Sequence, residues 1–279
     1  MSLINLAMLV VFFLTNLSFA QNKVLSITQL QKTRLYKSLE EALKEPHKVY
    51  RLNLENSGVA ELPYDIFKLD KLQSLNLSFN NLSELPKEIG QLKNLQYLNL
   101  KGTNIINLPS EFSNLTNLLV LNLDLMSSLN FASAKKIVFS LKNLKEITLN
   151  SVYISSFPDD ITKLKNLLKL SMSNCGLVNV SHQIGKLSNL MYLDLSFNQI
   201  SNLPEEIGEL LNLRELFLGG NNIKSLPDEI ENLNENLVTL GLATLQNDSG
   251  EFVSNPIPKN EVQKLQILLP DTQIIYIWN

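Results

Sequence analysis

The chain has 279 residues, of which 44% are hydrophobic and 18% charged, and its formal net charge is -3 at pH 7. This charge gives no electrostatic reason to expect nucleic acid or an anionic membrane as a partner. Cys175 is the single cysteine, which excludes an intrachain disulfide.

The first predicted element is a signal peptide at residues 1–20. Residues 3–20 hold an apolar run that ends in Ser18-Phe19-Ala20, a small-x-small cleavage pattern before Gln21. No cysteine follows the run, which excludes a lipoprotein anchor, whereas an uncleaved membrane anchor stays open. We therefore expect export, cleavage before Gln21 and no stable membrane insertion afterwards. A cytoplasmic location is the alternative if the run is not a signal.

Residues 21–48 are predicted to form an N-terminal segment with a capping helix. Ser38 and Glu41 make a capping-box pattern, and Pro46 ends the helix. We expect this helix to cover the open core of the first repeat.

Residues 49–236 repeat with a period of 23 residues, which predicts a solenoid. Each copy has the pattern L-x-x-L-x-L-x-x-N-x-L-x-x-L-P, as in the copy that begins at Leu72. The first leucine of the pattern recurs at Leu72, Leu95, Leu118, Leu144, Leu167, Leu190 and Leu213.

The residue types within one copy explain its predicted shape. Leu75 and Leu77 flank Asn76, so alternation places the leucines on one face of a short strand and the asparagine on the other. Asn80 has both donors and an acceptor for the backbone of its own turn and of the neighbouring coil, and such asparagines would form a ladder. Pro86 fixes φ and lacks an N–H, so it starts the returning arm.

The copies beginning with "LQSLNLSFNNLSELPKEIGQLKN" resemble the leucine-rich repeat family, in its 23-residue Leu-Pro subtype, and in particular exported bacterial members of it. The resemblance implies an α/β leucine-rich-repeat solenoid, a curved horseshoe. It would carry a parallel sheet on the concave face, short helical or irregular convex arms, and helical caps at both ends.

One repeat, residues 118–143, departs from the period. It is 26 residues long, and "FASAKKIVFSLKN" in place of the Leu-Pro step predicts a convex-side helix. Met126 and Val152 occupy ladder positions where asparagine is expected, so we expect the ladder to be interrupted here. Either the insertion is a tolerated change of curvature, or it is a bend that shapes a binding surface.

Residues 237–279 are predicted to be an atypical repeat and a cap. Pro258 and Pro270 bound a helix, "TQIIYIWN" alternates into a last strand, and the segment from Leu237 to Pro258 includes a polar loop too irregular to be a repeat.

Motifs for catalysis, metal binding and phosphate binding are absent from the sequence. It has no G-x-x-x-x-G-K, G-x-S-x-G or H-E-x-x-H pattern, and its two histidines, His47 and His182, are about six coils apart. The acidic pair Glu205-Glu206 recurs in register on the outer arm, as expected for a solubilising face. Cys175 is expected to be buried and inert in a ladder position. No enzyme activity, cofactor or metal is predicted.

The outward positions of the strands form two rows that are expected to be free of core duty. The first row is Arg51, Ser74, Tyr97, Val120, Glu146, Lys169, Tyr192, Glu215 and Thr239. The second row is Asn53, Asn76, Asn99, Asn122, Thr148, Ser171, Asp194, Phe217 and Gly241.

The ligand-binding residues are predicted on this face, where aromatic and charged side chains of the kind enriched at protein interfaces replace the repeat consensus. The predicted set is Tyr97, Val120, Glu146, Lys169, Tyr192, Asp194, Glu215 and Phe217.

These observations predict an exported, monomeric, non-enzymatic module that recognises a protein or peptide through its concave face. A structural or self-associating surface protein is the first alternative. An intracellular leucine-rich-repeat scaffold is the second, if the N-terminus is not a signal.

Overall fold

The computed structural model describes residues 24–245 and 252–277. The predicted signal peptide and its cleavage site before Gln21 lie outside the described residues. Within the described ranges, no helix is long and apolar enough to cross a membrane.

In the described part of the chain, eleven short strands form one parallel sheet. Strands that follow one another in the sequence are neighbours, except that the last strand pairs beside the tenth. The strands are β1 (Leu35–Tyr36), β2 (Arg51–Asn53), β3 (Ser74–Asn76), β4 (Tyr97–Asn99), β5 (Val120–Asn122), β6 (Glu146–Thr148), β7 (Lys169–Ser171), β8 (Tyr192–Asp194), β9 (Glu215–Phe217), β10 (Thr239–Gly241) and β13 (Gln273–Ile275). The predicted solenoid with a parallel sheet is confirmed.

The middle residue of each three-residue strand points into the core, and the two flanking residues point outward. Leu75, Leu98 and Leu121 are all completely buried, as alternation with period two requires. The register pairs Ser74 with Tyr97 and Asn76 with Asn99, and the same steps continue along the sheet. The two predicted rows of outward residues are therefore confirmed.

The returning arms on the convex side are short 3-10 helices. In six of the arms a proline with extended ψ stands immediately before the helix, because its fixed φ and missing N–H suit that position. The 3-10 helices are Pro46–Lys48, Tyr64–Lys68, Lys87–Gln91, Ser110–Asn114, Asp159–Lys163, His182–Lys186, Glu205–Glu209 and Asp228–Leu233.

Buried asparagines join successive coils at the turn after the strand. Asn198 accepts hydrogen bonds from the N–H groups of Cys175 and Leu177 in the preceding coil. Its amide donates to the carbonyls of Met172 and Leu195, each at 2.9 Å. The side chains that share this role form the inner asparagine ladder. They are Asn80, Asn198, Asn221 and Asn255.

The inner ladder is interrupted in the middle of the solenoid, as predicted. Thr103 donates only to the carbonyl of Leu100 in its own turn, and the completely buried side chains of Met126 and Val152 have no group that can donate a hydrogen bond. Cys175 restores part of the pattern, since its thiol lies 3.1 Å from the carbonyl of Leu149.

A second asparagine ladder, which the sequence pattern did not reveal, continues through the interruption. From Leu95 onward, the residue immediately before the first leucine of each repeat is asparagine, and its Nδ2 donates to a carbonyl of the preceding coil at 2.8–3.0 Å. The members of this outer asparagine ladder are Asn94, Asn117, Asn143, Asn166, Asn189, Asn212 and Asn236. Because Asn143 bonds to Thr116 across the longer repeat, the irregular coil is held in the same way as its neighbours.

The irregular repeat contains the predicted convex-side helix, α3 (Phe131–Val138). Asn130 caps it by accepting the N–H of Ser133, and Ala134 and Val138 face the core. The Phe131 and Phe139 rings meet edge to face with centroids 6.0 Å apart. The extra residues therefore extend the core outward on the convex side and leave the strand register unchanged.

The N-terminal cap has more structure than the sequence predicts. The predicted helix is α2 (Leu39–Leu43), and the Ser38 hydroxyl caps it by accepting the N–H of Glu41. Before it lie a further helix, α1 (Ile27–Gln31), and β1, which adds a strand to the sheet beside β2.

The C-terminal end differs from the prediction of an irregular polar loop. An antiparallel hairpin of β11 (Ala243–Leu245) and β12 (Phe252–Ser254) interrupts the last repeat. Asn255 follows it and completes the inner ladder by donating to the carbonyls of Leu218 and Leu242. The segment is thus a repeat with a hairpin inserted before its asparagine. The predicted helix, α4 (Lys259–Leu268), and β13 then close this end.

The two ladders predict different costs for removing an asparagine. Asn198→Ala removes the hydrogen-bond partner of two buried N–H groups and of the Met172 carbonyl, whereas the Leu195 carbonyl keeps its bond from Asn221. It should lower the free energy of unfolding by roughly 3–5 kcal/mol. Asn212→Ala removes one solvent-accessible bond and should cost about 0.5–1.5 kcal/mol. Urea denaturation of both variants measures the difference, and equal losses would contradict the role given to the inner ladder.

Candidate functional site

The predicted site residues lie side by side on the first and second rows of the concave sheet. Register pairs join Tyr97 to Val120, Val120 to Glu146, and Glu146 to Lys169. The pairing then continues from Lys169 to Tyr192 and on to Glu215. Because parallel neighbours are about 4.8 Å apart, the predicted residues form one continuous strip.

A half-buried ion pair stands at the centre of this strip. The Lys169 Nζ lies 3.2 Å from the Glu146 carboxylate, and the two side chains are only 16% and 13% exposed. The same ammonium lies 4.9 Å from the centroid of the Tyr192 ring, a cation–π distance. Lys169 therefore connects the two ends of the strip.

Lys169 of the ion pair, two aromatic rings and two carboxyl groups form what we call the aromatic cluster, comprising Lys169, Tyr192, Asp194, Glu215 and Phe217. The rings of Tyr192 and Phe217 are 5.5 Å apart at their centroids and tilted by 46°. A Cβ at position 241 would lie 2.6 Å from the Phe217 ring, so glycine at this position leaves room for the ring.

Burial shifts the titration of this cluster. It raises the pKa of Asp194, although hydrogen bonds from Ser196 and Ser171 and the charge of Lys169 act in the opposite direction. It also raises the pKa of the partly buried Glu215, against the charge of Lys169. The pKa of Tyr192 is raised by burial and by the neighbouring carboxylates, so its hydroxyl stays protonated.

The second row has a structural duty, so the expectation that both rows are free of core duty is wrong for it. The side-chain oxygen of Asn76 accepts the N–H of Ser78 two residues later and closes the turn after the strand. Asp194 does the same for Ser196 at 2.9 Å. Equivalent bonds are made by Asn53, Asn99 and Asn122. Of the predicted binding residues, Asp194 therefore has one oxygen committed to the fold.

At the other end of the strip a cavity of about 400 Å³ contains the remaining predicted residues. Tyr97, Val120 and Glu146 line it from the sheet, while Ile27 and Leu30 of α1 line it from the opposite side. Thus α1 covers part of the concave face as a roof, and so short a helix has no periodic pattern from which it could be predicted.

Two glutamines hold this roof in place. The N–H of Leu25 donates to the Gln73 side chain, and the Gln96 side chain donates to the carbonyl of Leu25, both at 2.9 Å. Gln73 and Gln96 also bond to each other at 3.0 Å. Arg51 fixes the end of α1 by donating to the carbonyl of Gln31 at 3.0 Å.

The groups that could have indicated catalysis are dispersed. Among the described residues, no group of three or more His, Cys, Asp or Glu side chains could hold a metal ion. Cys175 is buried as predicted, and burial raises the pKa of its thiol to about 12, so the reactive thiolate is suppressed.

Comparison with known proteins agrees with this geometry. A leucine-rich repeat region model matches residues 7–132 and 75–177, and a leucine rich repeat model matches residues 166–223. No curated protein sequence matches the chain.

Solved structures give the same result. A leucine-rich-repeat protein of Leptospira interrogans is 34% identical, with a TM-score of 0.71, and the alignment covers 88% of this chain and 64% of that one. This chain therefore spans slightly less than two thirds of that protein's length. Two internalins of Listeria monocytogenes also match. Internalin F is 20% identical with a TM-score of 0.69, covering 90% of this chain and 75% of its own. Internalin C2 is 25% identical with a TM-score of 0.60, and the alignment covers 68% of this chain and 79% of internalin C2.

Removal of the Asp194 charge should stabilise the protein. Asp194→Asn keeps the oxygen that accepts the Ser196 N–H, as Asn76 does in its own coil, and removes a carboxylate whose pKa is raised by burial. At neutral pH it should raise the free energy of unfolding by about 0.5–2 kcal/mol. A raised pKa means that the ionised form destabilises the folded state, so the gain should shrink as the pH falls through that pKa.

Chemical denaturation of wild type and Asp194→Asn at several pH values measures this effect. The control is Asp159→Asn, which removes an exposed carboxylate from a convex arm and should give no comparable gain. A gain for Asp194→Asn that stays constant down to strongly acidic pH would contradict the assignment.

The bonds from Gln73 and Gln96 to Leu25 should protect residues 25–31 from local opening. Gln96→Ala removes the donor to the Leu25 carbonyl, so hydrogen exchange of residues 25–31 should accelerate while the remaining coils keep their protection. Mass spectrometry of deuterium uptake measures this, with the exposed Gln91→Ala as the control. Unchanged uptake at residues 25–31 would show that the glutamines do not hold the segment.

The repeat pattern, the parallel solenoid, the two family models and the 34% identical solved structure together show that this chain belongs to the leucine-rich repeat family.

Proposed function

We propose that this protein is an exported, non-enzymatic module that recognises a protein or peptide through its concave face. The leucine-rich-repeat fold is in general a protein-interaction module, with an extended concave surface. The observation that carries the proposal for this chain is the aromatic cluster, where two rings and an ammonium meet on outward positions that the core does not need.

The composition of the cluster is that of a binding site and differs from the rest of the sheet. Tyrosine and other aromatic residues dominate the energy of protein interfaces when they are partly desolvated, as Tyr192 and Phe217 are. In the coils around β3 and β4 the second-row positions are asparagines that close turns. At Phe217 that position has no turn-closing side chain, which frees it for contact with a partner.

Rigidity supports the same function. Each strand from β4 to β9 is fixed on both sides by hydrogen-bonded neighbours, and the outer asparagine ladder spans all the coils from β3 to β10. A surface that is already ordered loses little conformational entropy on binding. The proposal treats the chain as a monomer, because the exposed edge of β13 is only three residues long and offers few hydrogen bonds to a second copy.

Export is proposed because residues 1–20 have the apolar run of a signal peptide and end in the Ser18-Phe19-Ala20 cleavage pattern. After cleavage Gln21 would be the first residue, three residues before the described part of the chain begins. The thiol of Cys175, which is buried and protonated, is compatible with an oxidising compartment.

The double variant Tyr192→Ala/Phe217→Ala tests the proposal. It removes both rings from the concave face, so capture of the partner by the immobilised mature chain should fall at least a hundredfold, while the circular dichroism spectrum stays unchanged. Loss of one hot-spot aromatic typically costs at least about 2 kcal/mol of binding energy.

The matched control is Tyr64→Ala/Tyr153→Ala, which removes two exposed rings that lie away from the concave face and are 66% and 74% accessible. This control should capture the partner as well as wild type does. Capture that survives loss of Tyr192 and Phe217 would show that the partner binds elsewhere.

A further inference from the structure

The charges on the aromatic cluster are not balanced. Asp194, Glu215 and the adjacent Glu146 present three carboxyl groups, and Lys169 is the cation among them. Lys169 lies 3.2 Å from Glu146, so its charge is already largely offset by that partner. Asp194 and Glu215 are left facing the concave groove with an excess of negative charge.

Partial burial makes this excess unfavourable within the free protein. Burial is the largest cause of the raised pKa of Asp194 and of Glu215, and the attraction of Lys169 does not cancel it. An additional cation placed beside the two carboxyl groups would favour their ionised forms. The site therefore has the electrostatic character that a positively charged group would complement.

The aromatic rings add a surface suited to the same group. Lys169 already lies over the Tyr192 ring at 4.9 Å, which shows that this ring accepts a cation on its face. Phe217, which has no cation over it among the described residues, stands 5.5 Å from Tyr192 and in register with Asp194. Ring surface and carboxylate thus lie together on β8 and β9.

We propose that the aromatic cluster binds one basic side chain of a protein or peptide ligand, with the carboxylate of Glu215 pairing with its charge and the rings of Tyr192 and Phe217 covering its stem. Arginine fits better than lysine, because its planar guanidinium stacks on aromatic faces and pairs with a carboxylate through two hydrogen bonds. This inference rests on the proposed recognition through the concave face and specifies the chemistry of the partner.

A random peptide library displayed on phage and selected on the immobilised mature chain tests the inference. The selected peptides should share an arginine or lysine. A synthetic peptide of that sequence should lose at least tenfold in affinity when norleucine replaces the basic residue. Glu215→Gln should also lower the affinity for the basic peptide at least tenfold. In that variant the basic peptide should bind little better than the peptide with norleucine.

Glu205→Gln is the matched control. It makes the same change of charge on a convex arm, at an exposed position, and should leave the affinity for the basic peptide as in wild type. An equal loss in Glu205→Gln and Glu215→Gln would overturn the inference, because it would show attraction by net charge alone.

The two levels of the proposal fail in different ways. Selected peptides that bind Tyr192→Ala/Phe217→Ala as well as wild type would contradict recognition by the concave cluster. Peptides that need those rings and contain no basic residue, or that tolerate norleucine in its place, would overturn only the inference of a basic side chain.

Discussion

A single coil of a solenoid cannot satisfy the backbone polar groups of its own turns, and the rest of this structure depends on how neighbouring coils satisfy them. A buried N–H or carbonyl without a partner costs about 1–3 kcal/mol. Asn198 alone joins two N–H groups of one coil to carbonyls of two coils. Where the inner ladder lacks asparagine, at Met126 and Val152, the outer ladder continues without a gap from Asn94 to Asn236. Loss of one ladder is tolerated there because the other is intact.

The hydrogen bonds that close the turns also limit which outward positions can vary. First-row positions carry no hydrogen-bonding duty toward the turns, so they vary from Tyr97 to Glu215 without disturbing the fold. Second-row positions are constrained as long as asparagine closes the following turn. Beyond β5 the constraint persists at Asp194, which closes its own turn, and is absent at Phe217. Around β7 to β9, the first-row positions and Phe217 are therefore free of turn-closing hydrogen bonds, and they form the surface that we propose contacts a partner.

Most of the fold could be predicted from the sequence, because the 23-residue period fixes which side chains face the core and which face outward. The two outward rows and the proline-led arms follow from it directly, and α3 was predicted from the departure of residues 118–143 from that period. The outer ladder was missed because an asparagine such as Asn94 resembles an ordinary surface residue, and its partner lies 24 residues earlier. Asn255 was missed because it follows Asn221 by 34 residues, with a hairpin in between.

The candidate site was predictable only in part. Periodicity identified its outward residues, but the ion pair of Lys169 with Glu146 depends on two flexible side chains meeting across strands. The roof formed by α1 depends on Gln73 and Gln96 holding Leu25, a contact across 48 and 71 residues that no local pattern contains. Such contacts arise only when distant segments are brought together by folding.

Amide chemical-shift mapping by NMR would show whether the concave strip from β6 to β9 contacts the partner. Titration of the isotope-labelled mature chain with its partner should shift the resonances of Lys169, Tyr192, Glu215 and Phe217, and leave the convex 3-10 helices unchanged. Shifts confined to the convex arms or to the C-terminal hairpin would show that the partner does not bind the concave strip.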